Sequence, residues 1–116
     1  MIKIKGLILK ERPANLILTG IKTVEIRGCR TNNRGRIGII KSGTKQVWGT
    51  VELFDCVELT RDLFYKFKDN HKSEKTYEEL LKIYPKPYGW LLRNYERFSE
   101  PKIYDHKQGC VIWVNL

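Results

Sequence analysis

The stretch Gly20-Ile21-Lys22-Thr23-Val24-Glu25-Ile26-Arg27 decides how the rest of the chain is read. Val24 and Ile26 alternate with Thr23, Glu25 and Arg27. That is the period of a strand that buries two β-branched residues and turns a hydroxyl, a carboxylate and a guanidinium to the other side. Gly20 suits the left-handed turn that ends a preceding helix, and Lys22 adds a fourth polar group beside the strand. Taken alone, such a segment is most simply a solvated surface strand. The distribution of charge along the chain argues for a site instead.

Residues 1–45 carry eleven Lys and Arg against only Glu11 and Glu25, whereas residues 46–116 carry eleven of each sign. The whole excess of +9 therefore lies in the first part of the chain. Arg27, Arg30, Arg34, Arg36, Lys41 and Lys45 follow Glu25 with no acid among them. A run of one sign beside a polar strand face attracts phosphates and other anions and speeds their arrival.

The 116 residues suit one domain with a small core, and 41% hydrophobic with 30% charged residues is the balance of a folded globular chain rather than a disordered one. No apolar run reaches the length of a membrane span, and Met1-Ile2-Lys3-Ile4-Lys5 lacks the apolar core of a signal peptide, so a cytoplasmic protein without a membrane partner is expected. Cys29, Cys56 and Cys110 are odd in number and widely spaced, which fits neither a disulfide framework nor zinc-ligand spacing. Reduced thiols, no metal and no cofactor are expected. His71 and His106 read as separate surface or hydrogen-bonding residues, and the domain is expected to act as a monomer.

The hydrophobic pattern is α+β and strand-dominated. A first strand is predicted from Ile2 to Leu9. A short helix with Pro13 near its start and Ala14, Ile17 and Leu18 on one face follows, and the Lys22–Arg27 segment comes next. Arg36–Lys41 reads as a buried strand ending at Ser42-Gly43. Val47 to Leu59 reads as one long or bent strand with a bulge at Asp55. Thr60 is placed to cap a helix carrying Leu63, Phe64 and Phe67; Lys68–Lys75 reads as a polar loop; Thr76 and Glu79 have the spacing of a capping box. Tyr88–Leu92 resumes a strand, Glu100-Pro101 marks a turn, and Cys110–Leu116 forms the last strand. Uneven strands with two or three short peripheral helices predict a small β-barrel, since closure removes exposed strand edges.

These segments resemble the ASCH family, the activating-signal-cointegrator homology domains, whose fold is similar to the pseudouridine-synthase-associated (PUA-like) RNA-binding barrel. Pro13–Gly20 looks like the family's leading helix and Gly20-x-Lys22-x-x-Glu25-x-Arg27 like its signature. Gly35–Ile39 with Ser42-Gly43, Gly49-Thr50-Val51, Tyr88-Gly89-Trp90 and Gly109–Trp113 match later elements in the same order. The resemblance covers nearly the whole chain and implies a single ASCH domain over residues 1–116. It also implies a cleft lined by Lys22–Arg27 that accepts RNA, other single-stranded nucleic acid or a modified nucleoside.

The residues agree in direction. Arg27 is able to fork two hydrogen bonds onto a phosphate or base edge, Glu25 to accept from an exocyclic amine, and Lys22 to contact a phosphate. Thr23, Arg34, Arg36 and Ser42 complete the candidate binding set. Trp90, which shares a strand face with Tyr88, is the preferred stacking ring ahead of Trp48; Trp113 is assigned to the core. An enzyme is the alternative. Family members that resemble this chain remove an acyl group from a modified cytidine with a lysine, a hydroxyl residue three positions later and a distant glutamate. Here Lys22 is kept but Glu25 stands at the hydroxyl position, with Thr23 and Glu74 as weaker catalytic candidates. A ribonuclease with Glu25 as general base is the third reading. Glu25 beside Lys22 favours a positioned ammonium over a free amine, and binding ranks first.

Overall fold

Ile37, Ile39 and Ile40 place β3 (Gly35–Lys41) in the middle of the domain, where it is buried on both sides from Ile37 onward. A computed structural model of the protein describes residues 4–106 and 112–116. Around β3 lie β1 (Lys5–Leu9), parallel to it, and β4 (Gln46–Glu58), antiparallel. β5 (Tyr88–Ile103) continues the antiparallel order, the short β2 (Val24–Arg27) forms one edge and β6 (Trp113–Asn115) the other. The sheet order is β2-β5-β4-β3-β1-β6. Leu7, Leu9, Ile37, Ile39, Val51, Leu53, Trp90 and Leu92 project from it onto Ala14, Ile17 and Leu18 to make the main core.

The barrel takes the form of a curled half-barrel. Among the described residues no backbone ladder joins β2 to β1 or β6. Side chains span the seam: Arg27 Nη2 donates to the Ile8 carbonyl at 3.4 Å, and Trp90 stacks on Trp113 with ring centroids 5.6 Å apart and planes 14° from parallel. β4 and β5 bend through three register shifts, one of them at Leu53/Asp55 where the sequence placed a bulge.

Two expectations need correction. Glu100-Pro101 is no turn: it lies within β5, where the chain advances from Arg97 to Lys102 while β4 advances only from Gly49 to Val47. Pro101 falls in that unpaired excess, so its missing N–H breaks no ladder bond. Lys68–Lys75 is also more than a loop. Between α2 (Arg61–Lys66) and α4 (Tyr77–Ile83) it contains a one-turn α3 (Lys68–His71), the fourth helix with α1 (Glu11–Ile17). His71 anchors that turn, fully buried and stacked on Phe64 with centroids 4.5 Å apart.

The capping features hold as read. Thr60 accepts from the Leu63 N–H, and Thr76 and Glu79 make the reciprocal bonds of a capping box. Cys29 and Cys56 are free thiols; Ile2, Lys3, Cys110 and Val111 lie outside the described residues. No helix among the described residues is long and apolar enough to cross a membrane.

Candidate functional site

Gly20, at φ +78°, closes the turn that follows α1 and lets the N–H groups of Ile21 and Lys22 both return to the Leu16 carbonyl. Thr23 is then clamped from two sides: its N–H donates to Asn70 of α3, and its carbonyl accepts from Leu92 of β5. These bonds fix where β2 begins and how its polar side chains point. Glu25 and Arg27 share a strand face, as the alternation requires. Glu25 Oε1 lies 3.1 Å from Lys22 Nζ, and Oε2 accepts from Arg27 Nε at 3.1 Å. Each oxygen of the carboxylate is thus engaged by its own cation.

The alternation does not tell how far each face is covered. Glu25 is only 6% exposed, while Ile26 on the other face is half-buried. The polar face of β2 is roofed by α1, α4 and the α3–α4 link, leaving a cleft rather than open surface. The cleft consists of two adjoining cavities of about 300 and 410 Å³ that share Pro13, Glu25 and Tyr84 as walls. Lys10, Arg12, Lys22, Arg27, Lys72 and Lys75 line it, against Glu25 as the one carboxylate. Such a surplus of positive charge in a concave, partly desolvated space favours anions over cations there.

The sequence-derived candidates divide. Lys22, Glu25, Arg27 and Ser42 meet at the cleft. Thr23 lies beside it, its Oγ1 accepting from Asn70 Nδ2 at 3.1 Å. Arg34 is elsewhere, donating to the carbonyls of Thr31 and Asn33 and lying 3.9 Å from Asp55. Arg36 is held on the Asn94 carbonyl and the Thr50 hydroxyl. Glu74 is exposed and outside the cleft lining. Trp90 requires correction: at 1% exposure, with one ring face on Trp113 and its Nε1–H on the Cys29 carbonyl, it has no face left for a base.

Sequence reasoning missed Lys10, Arg12, Lys72, Lys75 and Tyr84. Lys10 and Arg12 belong to the cation-rich first 45 residues, which was signal enough. Lys72 and Lys75 were hidden, because Asp69 and Glu74 nearby make their segment look balanced while only the cations reach the cleft.

His71 backs the same wall. The Ser73 N–H is only a donor, so Nδ1 accepts from it at 2.9 Å, and Nε2 carries the proton donated to the Phe64 carbonyl at 2.8 Å. Burial pushes the imidazole pKa below its ordinary value against the opposing effect of the Phe64 carbonyl, and the charges of Lys22 and Lys68 push the same way as burial. No cluster of His, Cys, Asp or Glu among the described residues is arranged to hold a metal.

The domain is strand-dominated, with a curled sheet, few short helices and a cationic cleft at the sheet's edge. The chain belongs to the ASCH domain family, whose sequence model matches residues 7–102. The crystal structure of ASCH from Zymomonas mobilis superposes with a TM-score of 0.78 over 97% of this chain and 86% of that one, at 23% identity. Two substituted forms of that protein are similar. One with a tyrosine replaced by phenylalanine gives 0.76 at 22% identity, covering 97% and 88%, and one with a serine replaced by alanine gives 0.73 at 23%, covering 97% and 87%. At these identities the likeness is one of fold. No curated protein sequence matches the chain.

Proposed function

We propose that residues 1–116 act as a single ASCH domain whose cleft binds single-stranded nucleic acid, RNA foremost, through its backbone phosphates. The observation that carries this reading is the set of six cations around one buried carboxylate. Glu25 is occupied on both oxygens and serves to hold Lys22 and Arg27 in place, so the trio keeps a net positive charge. Lys10, Arg12, Lys72 and Lys75 form no close ion pair among the described residues, Lys75 standing only in the field of Glu79, and supply the remaining attraction. A phosphate chain laid along the cleft would meet cations from the β1–α1 connection, β2 and the α3–α4 link in turn.

The test is a salt series with a labelled single-stranded RNA oligonucleotide, read by fluorescence anisotropy. Three to five phosphate contacts correspond to a log–log slope of roughly −2 to −3.5, and Lys72→Gln or Lys75→Gln should each reduce its magnitude by about 0.7. A slope near zero in the wild-type protein overturns the reading.

A further inference from the structure

Lys22 walls a second cavity on its other side, of about 250 Å³, and we propose that this cavity seats a nucleobase of the strand whose phosphates lie in the cationic cleft. The inference rests on the cleft reading and extends it to base contact, the role in which Trp90 had been expected.

The cavity has the composition of a ring site. Its floor is Ile17, Val51 and Leu92, all core residues, and its rim carries Thr23, Asn94 and Tyr95. An apolar floor with a few polar groups at the edge is the usual make-up of a pocket for a flat organic group. At about 250 Å³ it lies below the roughly 300–1,000 Å³ that encloses a drug-sized molecule, which fits one ring system rather than a whole nucleotide. The Thr23 hydroxyl accepts from Asn70 and keeps its own hydrogen to donate to a base acceptor.

The ring wall is held in position by a bulge in β5. Tyr95 is 50% exposed, yet its ring packs so closely on Gly20 that a Cβ there would come within 2.6 Å of Cε1. Just before it, Asn94 has a positive φ of 54°, a left-handed turn that asparagine accepts more readily than most residues with a side chain. The cause is a bulge: β5 advances from Arg93 to Glu96 while β4 advances only from Glu52 to Thr50. Three contacts lock it. Arg36 donates to the Asn94 carbonyl, Asn94 Nδ2 donates to Glu52 Oε1 at 3.0 Å, and Arg93 donates to Glu52 Oε2 at 2.9 Å. A bulge held by side chains of both strands, with a half-exposed ring in the cavity lining, is suited to present that ring to a ligand. The shared Lys22 wall then sets the ligand's chemistry: a flat apolar ring on one side and an anion on the other describe a nucleotide unit.

The experiment compares a short single-stranded RNA with an abasic strand of the same length and backbone, at one salt concentration, on wild type, Tyr95→Ala and Tyr95→Leu. The wild type should bind the base-bearing strand at least fivefold more tightly, the lower end of a stacking contribution. Both variants should lose that advantage at least fivefold for the base-bearing strand and leave the abasic strand unaffected. Tyr95→Leu keeps an apolar contact with Gly20 but has no ring, so it separates loss of stacking from loss of fold. Equal affinities for the two strands in wild type, or equal losses for both in the variants, overturn the base pocket and leave the cleft reading standing. Failure of wild type to bind either strand overturns both.

Discussion

Glu25 and Glu52 are both strand carboxylates held by two donors at about the same distances, and they do different work. Glu25 lies 3.1 Å from Lys22 and from Arg27 with its side chain 8% exposed; Glu52 accepts from Arg93 at 2.9 Å and Asn94 at 3.0 Å with its side chain 28% exposed. Water reaches Glu52 and is ready to replace either partner, so its bonds fix a geometry, the Asn94 bulge, more than they add stability. Glu25 has no such substitute. Removing its charge strands two cations that are themselves largely covered, and that is where buried ion pairs become costly. Near-identical bonding distances thus hide a difference that only burial reveals.

The largest effect is therefore expected at Glu25→Gln, which should cost about 3 kcal/mol in urea denaturation by leaving Lys22 and Arg27 uncompensated. A cost below about 1 kcal/mol would put Glu25 in the same class as Glu52 and erase the contrast.

A smaller effect tests the packed wall behind Lys22. The folded-state pKa of His71 lies below the ordinary 6.5, so the unfolded chain takes up its proton first as the pH falls. The contribution of His71 is full above about pH 6.5 and is lost as the pH drops toward the folded value, with a slope of at most about 1.4 kcal/mol per pH unit. Urea midpoints measured between pH 7.5 and 5.5 should decline in wild type and flatten over that limb in His71→Gln. Parallel declines in the two proteins would assign the pH dependence to other groups.

Glu52→Gln should have the smallest effect on stability, clearly less than Glu25→Gln in the same denaturation series. The hydrogen bond from Arg93 holds the Glu52 carboxyl below its usual range, so what stability it gives is present above the ordinary carboxylate pKa and fades as the pH falls through the lowered one. Wild type and Glu52→Gln should therefore converge in acid. An effect as large as that at Glu25 would mean that the bulge network, exposed as it is, carries the fold.

Much of the architecture was legible because it is written locally. The Thr76–Glu79 capping box, the end of β3 at Ser42-Gly43 and the bulge at Asp55 each follow from residues within a few positions of one another. The meeting of Lys22, Glu25 and Arg27 was legible for the same reason. What alternation does not say is which face of a strand is roofed. It placed Tyr88 and Trp90 on one side but left that side's burial open, and it set Glu25 on the site-bearing side without showing that α1 and α4 cover it. Lys72 and Lys75 reach the cleft from some fifty residues away, and the one-turn helix that delivers them is polar except for His71. Non-local packing of that kind leaves no periodic trace in the chain.

The seam between β2 and β1 has a consequence for how the domain breathes. Among the described residues, each neighbouring pair in the sheet is zipped by main-chain bonds, whereas β2, four residues long and laddered to β5, reaches β1 across the seam through the Arg27 guanidinium. Local opening takes the path with the fewest bonds to break, so the amides of β2 belong to the fastest-exchanging part of the sheet. The cleft lies across that same line, with Arg27 on one bank and Lys10 and Ser42 on the other. A polyanion bound there fastens the two banks like a clasp, and occupancy is then recorded as slowed deuterium uptake along β2.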